Sequence, residues 1–250
     1  MWRPHLAVTV AACLVIAAGT GYFVHLRDAR TFEAQENPEA DALKKAYGPS
    51  RNSYAVEEWA IRDFFRDKRD GVFVDVGANH YKIASNTYYL ETALHWSGLA
   101  VEPLKQFEAD YKRYRPRSRF LSFFVGDVSN EAAKLYVLDK NTLVSSADQQ
   151  FTAAQGKSPH AVEVPTITMN DLLDAEGVKT FDFLSLDVEL WEPKALAGFD
   201  IDRFKPQLVC VEAHPQVRQQ ILDYFARHGY ILVGKYLRAD INNLYFTPFK

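Results

Sequence analysis

From residue 53 onward the sequence alternates between short apolar runs and stretches of helical periodicity, and this alternation limits the possible folds most. Five apolar runs predict buried strands: GVFVDV, GLAVEP, RFLSFFVGD, FDFLSLDVE and QLVCVEAH. Helical spacing recurs over residues 53–68, 84–97, 104–115, 170–176 and 216–228. Residues 134–138 and 161–168 add extended segments, and YILVGKY with NNLYF predicts a C-terminal antiparallel hairpin. The alternation indicates an α/β fold with a doubly wound, mostly parallel sheet.

The residues before this domain predict a membrane attachment. Residues 6–24 are uncharged, and a helix needs about 20 apolar residues to span a bilayer. We expect an N-terminal transmembrane helix within residues 1–27, a linker or short helix over residues 28–52, and the domain at 53–250. Arg27 and Arg30 follow the span, which favours a cytoplasmic domain. A cleaved signal peptide is the alternative, because VIAAG offers small residues near a cleavage position.

The charge pattern argues against a nucleic-acid partner. The 250-residue chain has a formal net charge of −3, so no overall positive field attracts nucleic acid. Its two cysteines do not have the spacing of a metal site. The segment YKRYRPRSR, which contains Arg115, predicts a solvated helix end. The oligomeric state is left open.

Polar residues follow the predicted strands at the points where the strands end. Asp75, Glu102, Asp127 and Asp187 each follow an apolar run, and Glu212 and His214 follow the fifth run. In doubly wound sheets, ligands bind at the carboxyl ends of the strands. We therefore expect these six side chains to face one site.

The first turn, Gly77-Ala78-Asn79-His80-Tyr81, differs from a dinucleotide-binding turn. It has one glycine where the G-x-G-x-x-G pattern needs three, and Tyr81 argues against a pyrophosphate. Asp75 suits a cationic ligand, and Glu102 ends the next predicted strand, where an acid accepts hydrogen bonds from ribose. A ligand with a ribose, a cation and no phosphate fits both acids, and S-adenosylmethionine is such a ligand.

Several motifs resemble the FkbM methyltransferase family over residues 53–246: FVDVGANH, SNTYYLE, GLAVEP, TITMNDLL, FDFLSLDVE, LAGFD and LVCVEAH. The resemblance implies a class I methyltransferase fold, which is Rossmann-like, and an S-adenosylmethionine-dependent enzyme that typically methylates hydroxyl groups. It implies cofactor contacts for Asp75, Gly77 and Asn79 at the methionine end, Glu102 at the ribose and Asp127 near the adenine amine.

The resemblance also covers the D-x-E segment and its second acid, which are Asp187, Glu189 and Glu192 here. The sequence departs from the family at two places. The family commonly has D-x-E-G-x-E, whereas this chain has Leu190 in place of the glycine. The family also commonly has a glycine near Tyr81, which suggests a reshaped cofactor mouth.

Transfer to a hydroxyl group requires a base or a metal that removes its proton. Asp187, Glu212 and His214 are the catalytic candidates, and we prefer a metal-free base to Mg²⁺ held by the same three side chains. His80, Glu189 and Trp191 are candidates for substrate contacts, although Trp191 also fits a core position. We expect O-methylation of a glycan, glycolipid or other small molecule. N-methylation and a catalytically inactive scaffold or binding protein at a membrane are the alternatives.

Overall fold

A computed structural model describes residues 37–249. Within this range the chain forms ten strands, each close to a predicted extended segment. They are β1 (Val72–Val76), β2 (Ser97–Val101), β3 (Ser118–Leu121), β4 (Phe124–Gly126), β5 (Ala132–Val137), β6 (His160–Thr168), β7 (Phe183–Leu186), β8 (Leu208–Glu212), β9 (Tyr230–Leu232) and β10 (Asn243–Pro248).

Nine α-helices connect or flank the strands in the same range. They are α1 (Pro38–Tyr47), α2 (Glu57–Phe65), α3 (Tyr88–Thr92), α4 (Glu108–Tyr114), α5 (Gln149–Gln155), α6 (Met169–Ala175), α7 (Glu192–Ala197), α8 (Ile201–Phe204) and α9 (Arg218–Arg227). Short 3-10 helices lie at Lys105–Phe107, Thr142–Val144 and Gly234–Tyr236.

Seven strands form the main sheet in the order β3-β2-β1-β7-β8-β10-β9. Strands β3, β2, β1, β7 and β8 are parallel to one another, whereas β10 is antiparallel to both β8 and β9. The predicted mostly parallel sheet and its antiparallel C-terminal pair are therefore confirmed. Because β1 lies between β2 and β7, the carboxyl ends of all three strands meet at one edge.

Both faces of the main sheet are covered. Along β1, Val74 packs into a cluster on one face and Phe73 into a second cluster on the other. Both side chains are fully buried. Burial on two faces explains why the parallel strands are continuous apolar runs and do not alternate with polar residues.

The predicted third strand, RFLSFFVGD, was wrong as a single element. It divides into β3, at the edge of the main sheet, and β4, which pairs with β6 in a second sheet of order β4-β6-β5. The Ser122 hydroxyl donates to the Pro103 carbonyl, and the Phe123 N–H donates to the Leu121 carbonyl. This turn moves the chain from one sheet to the other, which an unbroken apolar run does not indicate.

The predicted helix over residues 84–97 was also too long, because only α3 is helical. Ala84 and His95 have φ values of 57° and 64°, outside the helical range. The Ser85 hydroxyl accepts from the Tyr88 N–H at 3.1 Å and so turns the chain into the helix. Local side-chain capping therefore shortens the element.

Helix α1 lies within the predicted linker. Asn37 caps it by accepting from the Ala40 N–H at 3.0 Å, and Leu43 is buried in a cluster with Trp59 of α2. The predicted anchor at residues 6–24 lies outside the described residues. Across residues 37–249, no helix has the length and apolar character needed to cross a membrane.

Arg115 departs from the predicted solvated helix end, although the other cations of the segment, Lys112, Arg113, Arg117 and Arg119, are exposed as predicted. Its side chain is fully buried, and its guanidinium pairs with Glu91 at 2.5 Å. It also donates to the Thr87 hydroxyl at 3.0 Å and to the Tyr81 carbonyl at 2.9 Å. A buried guanidinium needs this many partners, because an unpaired charge inside a protein is strongly destabilising.

Candidate active site

A cavity of about 1100 Å³ lies at the edge where the parallel strands end. The turn after β1, the end of β2 and the segments that follow β7 and β8 all contribute to its wall. The predicted site residues that line it are Gly77, Asn79, Glu102, Asp187, Glu189, Glu212 and His214. Seven predicted residues from four segments are thus brought together in one cavity.

Gly77 allows the chain to leave β1 close to the neighbouring strand. Its φ is 83°, which side chains rarely adopt, and a Cβ atom built on it would lie 1.7 Å from the Asp187 carbonyl oxygen. Its N–H donates to the Val101 carbonyl at 2.9 Å. Glycine is therefore required both by the backbone angle and by the contact.

Glu102 holds this turn against the end of β2. Its carboxylate accepts from the Asn79 N–H at 3.1 Å and from the Leu104 N–H at 2.8 Å. Burial raises the pKa of Glu102 to about 7, although the two N–H donors favour the carboxylate. A carboxylate can accept about four hydrogen bonds, so capacity remains for a ligand's hydroxyl groups.

Asp75, predicted to contact the cofactor, lies behind the cavity wall. It is buried, and it accepts from the Thr87 hydroxyl at 2.6 Å. Thr87 in turn accepts from Arg115. Burial raises the pKa of Asp75, and the Thr87 hydrogen bond and the Arg115 charge oppose that rise. Asp75 therefore supports the turn through buried partners, and a direct contact with the cofactor stays a prediction.

The acidic residues after β7 and β8 form a cluster with His214. The His214 Nε2 atom lies 3.2 Å from Glu189 Oε2 and 3.0 Å from Glu212 Oε2. Hydrogen bonding to Glu189 and Glu212 raises the pKa of His214 to about 11. Burial raises the pKa of Glu189 and of Glu212 to about 7. The imidazole is therefore a cation that two carboxylates hold in place.

Asp187 and Glu192 complete the cluster. Burial deep in the protein and the charge of Glu212 raise the pKa of Asp187 well above its usual range, although its side chain has surface exposed in the cavity. Glu192, at the start of α7, is fully buried and accepts from the Val188 N–H at 3.0 Å. Exclusion of water and like charges both raise the pKa values of these carboxyl groups, and the charge of His214 opposes that rise.

The backbone between Asp187 and Glu192 keeps the conformation that a glycine would favour. Glu189 and Leu190 have φ values of 54° and 75°. Leu190 thus occupies the left-handed region where the family commonly has glycine, at a cost of roughly 1–2 kcal/mol. The Ser146 hydroxyl donates to the Glu189 carbonyl at 2.5 Å and helps to hold this turn. Leu190 therefore adopts a backbone conformation that glycine adopts more readily.

Besides Asp75, three predicted site residues do not line the cavity. Asp127 is exposed and pairs with Lys194 at 2.7 Å. Trp191 packs against Phe124 with 5.6 Å between ring centroids, as expected of a core residue. The His80 Nδ1 atom accepts from the backbone N–H groups of residues 82 and 83, at 3.1 and 3.0 Å, which makes it a turn residue. Their contacts with ligands stay predictions.

Tyr81 does not reshape the cavity. Its ring stacks on Tyr114 with 4.7 Å between centroids, and it is not among the lining residues. Tyr81, where the family commonly has a glycine nearby, therefore packs beside the turn. Gly77 and Asn79 form the cavity wall at this turn.

Sequence reasoning missed several cavity residues that come from outside the strand ends. Asn79 donates to the Thr142 carbonyl at 3.1 Å, so the segment between β5 and β6 closes one side. The lining also includes Arg51, Trp59, Asn86 and Asn242. Asn86 lies in the SNTYYLE motif, whereas the segments that contain Arg51, Trp59 and Asn242 have no recognisable ligand-binding pattern.

The chain is similar to known methyltransferases. A family model described as the methyltransferase FkbM domain matches residues 75–232. No curated protein matches the chain significantly. A precorrin-6y C5,15-methyltransferase from Geobacter metallireducens GS-15 is similar in structure, with 12% identity, a TM-score of 0.42, and coverage of 70% of this chain and 71% of that chain. A TehB-like SAM-dependent methyltransferase from Corynebacterium glutamicum ATCC 13032 Kitasato has 13% identity, a TM-score of 0.42, and coverage of 90% and 97%.

The family match begins at Asp75 in β1 and ends at Leu232 in β9. It therefore includes the glycine turn, Glu102 and the whole acidic cluster. The site also fits the cofactor, since Gly77 and Glu102 both line the cavity and the Glu102 carboxylate has acceptor capacity left for ribose hydroxyl groups. The chain belongs to the FkbM methyltransferase family and is an S-adenosylmethionine-dependent methyltransferase.

Proposed function

We propose that the protein transfers the methyl group of S-adenosylmethionine to a hydroxyl oxygen of a glycan, a glycolipid or another small molecule. The observation that carries this proposal is the continuity of one cavity from the glycine turn and Glu102 to the cluster of Asp187, Glu212 and His214. A hydroxyl group is a weak nucleophile until its proton is removed, and the cluster supplies proton acceptors where the acceptor would bind.

Within the cluster, the carboxylates are better suited than His214 to take the proton. An imidazole whose pKa is raised to about 11 is already protonated near neutral pH. Asp187 is the carboxylate exposed to the cavity, and the His214 cation keeps Glu189 and Glu212 in place beside it. When bound, S-adenosylmethionine supplies a methyl group that its positively charged sulfur already activates. The chain therefore has to position the acceptor and remove one proton.

The lining of the cavity offers contacts for a polar acceptor. Arg51, Asn86 and Asn242 are among the lining residues. Guanidinium and amide groups donate hydrogen bonds, and an amide oxygen also accepts them, so this lining suits an acceptor that carries hydroxyl groups.

Methyl-labelled methionine tests the proposed reaction. Cells that lack the protein and cells that express it would be fed the labelled compound, and glycans, lipids and small metabolites would be compared by mass spectrometry. We expect a labelled methyl ether that is present only when the protein is expressed. A label found on nitrogen would instead establish N-methylation, and the absence of any labelled product would argue for a scaffold.

Removal of the Glu102 side chain should weaken cofactor binding. In full-length protein, Glu102→Ala should reduce the affinity for S-adenosylhomocysteine by roughly 1–3 kcal/mol, as for a lost hydrogen bond to a charged group. Isothermal titration calorimetry measures this change. The matched control is Glu108→Ala, an exposed acid on α4 that does not line the cavity. Equal affinity in both variants would contradict the assignment, as would binding of NAD in place of S-adenosylhomocysteine.

We also propose that residues 6–24 anchor the protein as a single membrane span, with the catalytic domain in the cytoplasm. Full-length protein should then stay with the membrane fraction through a high-salt or alkaline wash, because apolar burial and not charge holds a spanning helix. Immunoblots of pellet and supernatant measure the distribution. Recovery in the supernatant, or a mature N-terminus near Gly19, would show that the segment is a signal peptide.

A further inference from the structure

We propose that Asp187, Glu192 and Glu212 form a binding site for a hard divalent cation such as Mg²⁺ at the floor of the cavity. This inference rests on the proposed function and adds the metal ion through which the acidic cluster would act. One carboxylate oxygen from each of the three side chains lies within 4.8 Å of the other two. A cation that holds oxygen ligands at about 2.0–2.6 Å needs ligand oxygens roughly 3–5 Å apart.

Glu192 gives an independent reason to expect a ligand. The side chain is fully buried, and one of its carboxylate oxygens accepts from the Val188 N–H. The other oxygen, Oε2, is buried without a hydrogen-bond partner among the described residues. Buried polar atoms are nearly always satisfied, so an unpartnered carboxylate oxygen beside two other acids indicates a missing positive partner.

Of the three acids, only Glu212 has a basic side chain within ion-pair distance among the described residues, and that partner is His214. In the same part of the chain, neither Asp187 nor Glu192 has a lysine or arginine within ion-pair distance. A second group, formed by Glu189, Glu212 and His214, is also close enough to hold a metal. There the imidazole itself lies against both carboxylates, with His214 Nε2 3.2 Å from Glu189 Oε2 and 3.0 Å from Glu212 Oε2. The first group contains the buried Glu192 oxygen that has no partner, so we assign the cation to that group.

The fold leaves such a cation accessible from one side. Asp187 and Glu212 follow neighbouring parallel strands, since Leu186 of β7 is in register with Val211 of β8. Both acids line the cavity, whereas Glu192 lies behind them and does not. Mg²⁺ usually keeps several positions for water or substrate oxygens, and here they would face the cavity. A hydroxyl group bound there would lose its proton more readily, and Glu189 is the adjacent carboxylate that can accept it.

Mn²⁺ is a direct probe of this site. Full-length protein freed of metal with EDTA would be titrated with Mn²⁺, and the free ion would be measured by electron paramagnetic resonance. We expect one Mn²⁺ per chain, with a dissociation constant below about 1 mM, and displacement by excess Mg²⁺. The measurement needs neither the acceptor nor turnover.

Two substitutions test the ligands separately. Glu192→Gln should weaken Mn²⁺ binding by at least about tenfold, and Asp187→Asn, at the cavity surface, should do the same without disturbing buried packing. Glu131→Gln, an exposed acid outside the cavity, is the matched control and should bind as the wild type does. Thermal unfolding checks that each variant is folded. If Glu192→Gln does not fold, the Mn²⁺ affinity of Asp187→Asn alone tests the site.

Three outcomes would overturn the site. The first is less than one tenth of an equivalent of Mn²⁺ bound by the wild type at about 1 mM free ion. The second is unchanged Mn²⁺ binding by both variants. The third outcome combines three results: no Mn²⁺ binds, S-adenosylmethionine binds far more tightly than S-adenosylhomocysteine, and Glu192→Gln removes this difference in affinity. The acidic cluster would then bind the sulfonium cation of the cofactor and not a metal ion.

The cation site and the proposed methylation of a hydroxyl group can be disproved separately. Methylation of a hydroxyl group that continues in excess EDTA, without bound Mn²⁺, would reject the cation and leave the proposed reaction. Mn²⁺ bound through Glu192 in a protein that methylates only nitrogen would support the cation and reject the proposed acceptor.

Discussion

Replacement of Gly77 by alanine is expected to abolish binding of S-adenosylhomocysteine and to destabilise the domain by roughly 2–5 kcal/mol. The left-handed backbone at Gly77 costs a side chain about 1–2 kcal/mol, and overpacking typically adds about 1–3 kcal/mol. A Cβ atom at this position would lie 1.7 Å from the Asp187 carbonyl oxygen, so the ends of β1 and β7 have to separate. Denaturant unfolding and calorimetry measure the two effects.

Gly177 provides the matched control. Its φ is 68°, but a Cβ atom there would meet nothing within 4 Å. Gly177→Ala should therefore show only the backbone cost, of about 1–2 kcal/mol, and should bind S-adenosylhomocysteine as the wild type does. Equal stability and equal affinity in the two variants would show that the contact with Asp187 does not determine the turn.

Substitution of Asp187 by asparagine should reduce methyl transfer by about 10²-fold or more, which is the usual contribution of a positioned proton acceptor. Asparagine keeps the shape of the side chain and removes its negative charge, whether that charge accepts the proton or holds a cation. Affinity for S-adenosylhomocysteine should change by less than about threefold, since the Asp187 side chain is assigned to the acceptor side. Transfer of labelled methyl groups into an extract of cells that lack the protein measures the rate.

Asp223→Asn is the control for this experiment. Asp223 is an exposed acid on α9 that does not line the cavity. Its substitution should leave the transfer rate unchanged. In cells, a double variant with Asp187→Asn and His214→Ala should lose the labelled product. Full wild-type function in that double variant would end the catalytic interpretation.

Much of the fold could be predicted because its strongest signals are local. Parallel strands buried on two faces are continuous apolar runs, so β1, β2, β7 and β8 were recognised close to their true positions. Errors arose where a single side chain changes the path. Ser122 and Phe123 divide one apolar run between two sheets, and Ser85 delays the start of α3. Such hydrogen bonds depend on partners that only the folded chain supplies.

Some features of the site could likewise be predicted from the sequence, whereas others could not. The sequence by itself determined which residues lie at the ends of strands, because the alternation of strand and helix fixes where each parallel strand stops. It also indicated Gly77, since the turn contains no other glycine. Because neighbouring parallel strands end at the same edge, we could also predict that Glu102, Asp187, Glu212 and His214 line one cavity.

Only the tertiary structure decided what each of these groups can do. The proximity of His214 to two carboxylates raises its pKa and favours the protonated imidazole, which argues against its simple use as a base near neutral pH. The burial of Glu192 leaves one oxygen without a partner, and the burial of Arg115 places a predicted surface cation beneath Asp75. Ionisation and pairing depend on burial and on distances between residues far apart in the sequence, which a linear pattern does not contain.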